Sequence, residues 1–81
     1  GNTAKVRNNF RTLLVTVHEL WPFGNWTQVQ LSDLLTDKDL KKYHNKAQLI
    51  FHPDKNRDVD YKRRYLSKRI SSELSEAFKK L

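Results

Sequence analysis

The sequence predicts an all-α domain built around a helical hairpin, and three observations carry this prediction. Apolar residues recur at steps of three and four along two long segments, which is typical of amphipathic helices. Pro53 lies between the two segments and cannot continue the first, because it has no N–H and its ring clashes with the preceding turn. A further amphipathic segment precedes both. We therefore expect two antiparallel helices against which an N-terminal helix and a short turn pack.

The N-terminal amphipathic helix is predicted to run from Val6 to Trp21. Pro22 and Gly24 end it, since both residue types interrupt helical backbone. Residues 1–5 are mostly polar and are expected to form a disordered tail, so the folded domain would span residues 6–81. The apolar stripe consists of Val6, Phe10, Leu13, Leu14, Val17, Leu20 and Trp21.

The link after this helix is expected to fold back onto the core through Phe23 and Trp26. Residues 27–31 suit a brief extended piece. Residues 32–35 suit a single helical turn, because Ser32 or Asp33 can cap its first free N–H groups.

The second helix is predicted from Asp37 to Phe51, with Thr36 or Asp37 as its start signal. On a helical wheel at about 100° per residue, this segment has a core side and a basic side. A basic side is most often only solvated, but the leucine within this one suits a protein groove better than a phosphate backbone. The core side holds Leu40, Tyr43, Ala47, Ile50 and Phe51, and the side that we call the basic face holds Lys38, Lys41, Lys42, Asn45, Lys46 and Leu49.

The third helix is predicted from about Asp60 to Leu81. Its apolar stripe is expected to contain Tyr61, Tyr65, Leu66, Ile70, Leu74, Ala77, Phe78 and Leu81. Its outer face is expected to carry Lys62, Arg63, Arg64, Lys68, Arg69, Lys79 and Lys80.

The connection between the second and third helices presents two functional groups. Pro53 pushes His52 toward an extended conformation. Asp54 follows in a stretch of turn-forming residues. The tip of the hairpin therefore holds an imidazole and a carboxylate, separated by one stiff residue and directed outward.

Length and charge limit the function. A chain of 81 residues forms one domain with a small core, since such a chain buries only about 60% of the surface that its unfolded state exposes. Its net charge of +7 favours an anionic partner: nucleic acid, a membrane surface or an acidic protein groove. Cys is absent, so neither a disulfide framework nor a thiolate metal site is expected. Met is absent and the chain starts at Gly1, so a fragment of a longer protein is expected.

Catalytic, cofactor, metal and membrane sites are not expected. Two glycines cannot build a phosphate-cradling loop, and no serine has a base at a recognisable spacing. No run approaches the ~18 apolar residues of a membrane span, so we expect no membrane insertion. Zinc would need several ligands, usually paired on one helix face, and the histidines lack such partners. The three histidines of the chain are His18, His44 and His52. His18 suits a position at the boundary between core and solvent.

Residues 41–47, followed by His52-Pro53-Asp54 and Lys55-Asn56, resemble the second helix and the loop of a DnaJ-type J-domain. Residues 73–78, with their Ala-aromatic pair, resemble the end of its third helix. A bare His-Pro-Asp is common by chance, but one that ends a basic-faced helix is a specific signal. Residues 10–14 and 18–22, followed by Trp26, Val29, Leu31 and Asp33-Leu34, further resemble the auxilin-type subclass. That subclass has an extra N-terminal helix and a Trp-containing loop before a shortened helix I. The resemblance covers roughly residues 6–81.

The resemblance implies a co-chaperone that is not itself an enzyme. Such a domain would bind the ATP form of a DnaK-type heat-shock chaperone, near the interdomain linker of its nucleotide-binding domain, and stimulate ATP hydrolysis. The Asp54 carboxylate would engage an arginine there in a charge-assisted pair, and the lysines would meet an acidic groove that gives on-rate and orientation. The chaperone-binding residues implied are His52, Pro53, Asp54, Lys55, Lys38, Lys41, Lys42, Lys46 and Leu49.

For auxilin-like proteins the client is the clathrin coat. The resemblance therefore implies uncoating of clathrin-coated vesicles by a cytoplasmic, monomeric domain that is associated with those vesicles. The clathrin-binding segments proper would lie upstream of Gly1. Asp33-Leu34-Leu35 also spells a short clathrin-binding motif, but it falls where helix I should pack, so we favour a structural role.

The sequence departs from the family pattern at two positions. The usual Tyr before the basic pair is His44, and the first basic residue is Asn45, so one positive charge is missing and the docking angle or affinity could differ. Two alternatives stay open: a J-domain outside the clathrin pathway and a basic helical nucleic-acid-binding domain. The second gives the tip no role, and Asp54 would repel phosphate there.

Overall fold

The computed structural model describes the backbone of residues 2–81 and the side chains of residues 4–81. Within this range the chain forms three α-helices, α1 (Asn2–Leu20), α2 (Asp37–Phe51) and α3 (Tyr61–Lys79), and no strand. Short 3-10 turns lie at Leu31–Asp33 and Pro53–Lys55. The all-α prediction is confirmed. Helix α1 begins at Asn2, within the segment expected to be disordered, and the expectation for Gly1 lies outside the described residues.

Helix α1 packs on α3 and runs antiparallel to it. At one end the ring of Phe10 lies 5.5 Å from that of Phe78, between centroids. At the other end the guanidinium of Arg63 lies 5.4 Å from the ring centroid of Trp21. Residues early in α1 therefore meet residues late in α3.

Helix α2 packs on α3 in the same antiparallel sense, which forms the predicted hairpin. His44 stacks on Phe78 with 3.9 Å between ring centroids and 3° between planes. One turn further along α2, Gln48 accepts a hydrogen bond from Ser71 (2.9 Å) and donates one to Ser75 (3.2 Å). These polar contacts satisfy groups at the interface between the helices and fix their register. Helix α3 is thus the central helix of the domain.

The link between α1 and α2 folds back onto the core, as predicted. Trp21 donates its indole N–H to the carbonyl of Gly24 at 2.7 Å. Gly24 and Asn25 adopt φ of 78° and 66°, a left-handed conformation that Gly and Asn tolerate better than other residues. Phe23 packs edge-on against Trp21 with 4.9 Å between ring centroids, and the ring centroid of Trp26 lies 5.2 Å from that of Phe51. The buried apolar residues are Phe10, Leu14, Val17, Trp21, Val29, Leu34, Leu40, Ala47, Phe51, Ile70 and Leu74.

Two details of the link differ from the prediction. Gln30 is extended (φ −95°, ψ 153°), but residues 27–30 belong to no strand. The helical turn begins at Leu31, one residue early, because Asp33 accepts a hydrogen bond from the N–H of Gln30 at 3.0 Å. In the Asp33-Leu34-Leu35 segment, Leu34 is fully buried and packs in the core, whereas Leu35 is 71% exposed.

The predicted apolar stripe of α3 is wrong in its first two turns. Tyr61 and Tyr65 are 75% and 50% exposed. Arg63, expected on the outer face, instead places its guanidinium over Trp21 and Phe23, at 5.4 and 5.6 Å. The inward line of α3 starts at Arg63 and continues through Leu66, Ile70, Leu74 and Ala77, at steps of three and four. Leu20 and Leu81 were also expected in apolar stripes and are 54% and 44% exposed, since Leu20 is the last residue of α1 and Leu81 lies beyond the end of α3.

Candidate functional site

The start of α2 is fixed by its own cap and by α1. Thr36 accepts a hydrogen bond from the N–H of Asp39 (3.1 Å), and Asp39 accepts one from the N–H of Thr36 (3.2 Å), which is a capping box. Arg7 of α1 forms two hydrogen bonds with Asp37, of 2.8 and 3.1 Å. Hydrogen bonding from Arg7 holds the pKa of the Asp37 carboxyl below its usual value, opposed by burial and assisted by the charges of Arg7 and Arg11. The helix is therefore oriented before any partner arrives.

The basic face of α2 points outward. All four of its lysines are exposed, and Leu49 is 68% exposed. At about 100° per residue the face covers about 140° of the helix surface. The ammonium groups of Lys42 and Lys46 lie 5.7 and 5.6 Å from the ring centroid of Tyr43. Because Tyr43 is itself half-buried, its ring gives these two lysines a preferred position.

Residues 52–60, the tip loop, begin with a turn that His52 organises. His52 has φ −58° and ψ 138°, the extended conformation predicted for a residue before Pro, and Pro53 starts the 3-10 turn. The Nδ1 atom of His52 accepts a hydrogen bond from the N–H of Asp54 at 3.1 Å. This bond requires a lone pair on Nδ1, so in the neutral ring Nε2 carries the proton and can donate to a partner. The same Nδ1 lies 3.7 Å from Asp54 Oδ2, a separation too long for a hydrogen bond.

Asn56 ties the tip loop to the end of α2. Its side chain is 1% exposed, and its amide donates to the carbonyl of Ile50 (2.9 Å) and to that of His52 (3.0 Å). Helix ends leave such carbonyls without intrahelical donors, and Pro53 has no N–H to offer. The N–H of Asp54, which would reach Ile50 in a continued helix, is bonded to His52 instead. Asn56 therefore acts as the cap of α2 and holds the loop in place.

The Asp54 carboxylate faces solvent and already has a cationic neighbour. Its side chain is 64% exposed, and Arg57 donates a hydrogen bond to it at 3.0 Å. That bond and the charge of Arg57 hold the pKa of Asp54 below its usual value, opposed by burial and assisted weakly by His52 and Lys55. Asp54 is thus ionised at neutral pH and ready to accept hydrogen bonds from a second cation.

The predicted site residues lie on the basic face of α2 and in the tip loop that directly follows this helix. Leu49 lies three residues before His52, which is less than one helical turn. All nine predicted residues are exposed. Sequence reasoning missed Asn56 and Arg57. The one available signal was Pro53, which leaves carbonyls at the end of α2 in need of a donor.

In residues 4–81 no three side chains from His, Cys, Asp and Glu converge as metal ligands would. None of the helices described has the length and apolar character needed to span a bilayer.

Curated relatives share sequence with most of this chain. Auxilin-related protein 1 of Arabidopsis thaliana is 37% identical over 75 residues, covering 89% of this chain. The J domain-containing protein required for chloroplast accumulation response 1 and Auxilin-like protein 1, both of Arabidopsis thaliana, are each 32% identical over 86% and 90% of this chain. The chain spans only 8%, 11% and 5% of the length of these three proteins. No family model matches the chain, and no solved structure matches it.

The helical hairpin with His-Pro-Asp at its tip, together with these relatives, places the chain in the J-domain family. Within that family it is an auxilin-type J-domain, since two of the three relatives bear auxilin names, and α1 and the turn Leu31–Asp33 precede its hairpin.

Proposed function

We propose that this J-domain binds the ATP form of a DnaK-type heat-shock chaperone through its tip loop and the basic face, and stimulates ATP hydrolysis by that chaperone. The observation that carries the proposal is the outward, ionised Asp54 carboxylate at the end of a helix whose exposed side is cationic. A carboxylate held in this way accepts the planar fork of an arginine with good geometry.

The two parts of the surface have different tasks. The lysines of the basic face attract an acidic groove over a long range and orient the encounter, which affects association more than final affinity. Leu49 supplies an apolar contact within that face. His52, Pro53 and Asp54 then make the short-range contacts, with Nε2 of His52 as a donor and Asp54 as an acceptor. The stiffness of Pro53 keeps the two groups at a constant separation.

A single-turnover ATPase assay with a DnaK-type chaperone tests the proposal. The unaltered domain is expected to accelerate hydrolysis. Asp54→Asn and His52→Gln are each expected to abolish the acceleration while circular dichroism stays unchanged, because both side chains are exposed. The matched control is Asp58→Asn, which removes the same charge from an exposed position of the same loop. Acceleration by Asp54→Asn equal to that of Asp58→Asn would refute the mechanism.

We further propose that the process served is the uncoating of clathrin-coated vesicles in the cytoplasm, with clathrin bound by segments outside these residues. Two of the relatives bear auxilin names, which supports this assignment. Another is named for a chloroplast accumulation response, which leaves a J-domain of another pathway as the competing assignment. Coat release measured with the full-length protein decides between them, since a protein of another pathway would neither bind coats nor release clathrin.

A further inference from the structure

A concave surface adjoins the tip loop on the side of α3. It has a volume of about 390 Å³ and is lined by Pro53, Asp54, Arg57, Arg64 and Lys68. Three of these five residues are cations, and the one carboxylate among them is already bonded to Arg57. The concavity therefore has an excess of positive charge directly beside the proposed docking carboxylate.

The first half of α3 concentrates positive charge in a way that helix stability does not explain. Residues 61–72 contain no acidic residue, and the first turn carries three cations. Cations near a helix N-terminus oppose the helix dipole. Arg64 and Lys68, four residues apart, repel each other on one face. These positions are thus locally unfavourable in the isolated domain.

Arg63 and Arg69 have partners within the domain, whereas Arg64 and Lys68 have no ion-pair partner among the residues whose side chains are described. Arg63 lies over Trp21 and Phe23, and Arg69 pairs with Glu73 at 3.2 Å. Across the residues whose side chains are described, neither Arg64 nor Lys68 forms an ion pair. Both are exposed. Their charges are available to a partner.

The concavity continues into a second one, which gives the surface an apolar edge. The second has about 290 Å³ and is lined by Tyr61, Tyr65 and the same Arg64 and Lys68. The two tyrosine rings stack with 6.4 Å between centroids and 18° between planes. Exposed Tyr beside Arg is the composition enriched where binding energy concentrates in protein interfaces.

We propose that the α3 surface binds acidic side chains of the chaperone, on either side of the arginine that Asp54 engages. This surface consists of Arg57, Arg64 and Lys68, with Tyr61 and Tyr65 at its edge. The inference rests on the proposed function and extends its contact surface from α2 and the tip loop onto α3. Charge complementarity and continuity with Asp54 support this occupant. Nucleic acid is the less favoured occupant, because it offers no cation to pair with the Asp54 carboxylate at the edge of the first concavity.

The test compares two double variants of equal charge in the single-turnover ATPase assay. Arg64→Ala with Lys68→Ala is expected to raise the half-saturating concentration of the domain about tenfold, as two exposed ion pairs would. Its maximal acceleration is expected to be unchanged, and the loss is expected to shrink as salt rises. The control, Lys5→Ala with Lys62→Ala, removes two exposed cations outside both concavities and is expected to shift half-saturation less than twofold.

The outcomes separate the inference from the function on which it rests. If the unaltered domain fails to accelerate hydrolysis, both are overturned. If acceleration depends on Asp54 but the two double variants behave alike, only the α3 surface is overturned. A single-stranded oligonucleotide serves as the probe for the rival occupant. Two results together would assign the surface to nucleic acid. The oligonucleotide would bind the unaltered domain with micromolar affinity at physiological salt but would not bind the Arg64→Ala, Lys68→Ala double variant. In the ATPase assay, the half-saturating concentration of that double variant would equal that of the unaltered domain.

Discussion

Asn56 is the residue on which the geometry of the tip loop depends most, and its removal gives a quantitative prediction. Asn56→Ala deletes the donors that bond the carbonyls of Ile50 and His52. The carbonyl of His52 still accepts a hydrogen bond from the N–H of Lys55, at 2.9 Å. The carbonyl of Ile50 has no other donor among the described residues. The variant therefore leaves one carbonyl unsatisfied and one with a single bond.

The expected loss follows from these two bonds. An intramolecular hydrogen bond contributes about 1 kcal/mol net, and a carbonyl left without a partner in a partly buried position costs about 1–3 kcal/mol. The free energy of unfolding should therefore fall by about 2–4 kcal/mol. For a domain of this size such a loss lowers the melting temperature by about 10–30 °C. ATPase stimulation should also fall at temperatures where the variant is still folded, because the loop is no longer tied to α2.

Urea unfolding followed by circular dichroism measures the effect. Asn45→Ala, an exposed change of the same type on α2, is expected to alter stability by less than about 0.5 kcal/mol. Asn56→Asp gives a second check, since its carboxylate would face two carbonyl oxygens and should destabilise at neutral pH but less in acid, where the protonated group can donate. An urea midpoint for Asn56→Ala equal to that of the parent would refute the role of Asn56 as a cap.

Two further predictions concern the core. Burial lowers the pKa of His44 from its ordinary value of 6.5, so the unfolded chain binds the proton more readily than the folded one. Stability should therefore fall as pH drops from 6.5 toward the lowered pKa and level off below it, and urea unfolding of His44→Phe should lack this component. Arg63→Ala should lower the free energy of unfolding by about 1–2 kcal/mol through the lost aromatic contacts of its guanidinium and stem, whereas Arg64→Ala should change it by less than about 0.5 kcal/mol.

Each of these has a result that would contradict it. Stability that rises as the medium is acidified from pH 6.5 would mean that the stacked His44 ring favours its charged form. The buried Nδ1 of His44 has no hydrogen-bond partner in the described part of the chain, which argues against that outcome. Equal losses for Arg63→Ala and its neighbouring control would mean that the stacking over Trp21 and Phe23 contributes nothing.

The sequence predicts the helix boundaries well where a terminal signal is local. Helix α2 runs from Asp37 to Phe51 as predicted, because Thr36 supplies the cap and Pro53 enforces the stop. Helix α3 is shorter than predicted by one residue at its start and two at its end. The orientation of the basic face also follows from periodicity alone, since lysines and core residues alternate with the helical repeat.

Periodicity fails where a polar side chain occupies an inward position. Arg63 faces the core because two aromatic rings from the link between α1 and α2 cover its guanidinium, a contact between residues 40 or so apart in sequence. Tyr61 and Tyr65 look apolar at helical spacing, yet the line set by Arg63 turns them to solvent. The capping role of Asn56 could not be predicted from periodicity either, because the burial of Asn56 depends on the fold of the whole loop.

The placement of these residues separates docking from stability, which makes the site experimentally tractable. Asp54, Arg64 and Lys68 are exposed, so their removal should change chaperone stimulation while the domain stays folded. Arg63 packs on the core and should change stability alone. Asn56 should change both, because the bonds that cap α2 also set the position of Asp54. A domain in which Asp54→Asn lowered stability as much as Asn56→Ala would have its carboxylate engaged in holding the fold, and the docking role proposed for it would be lost.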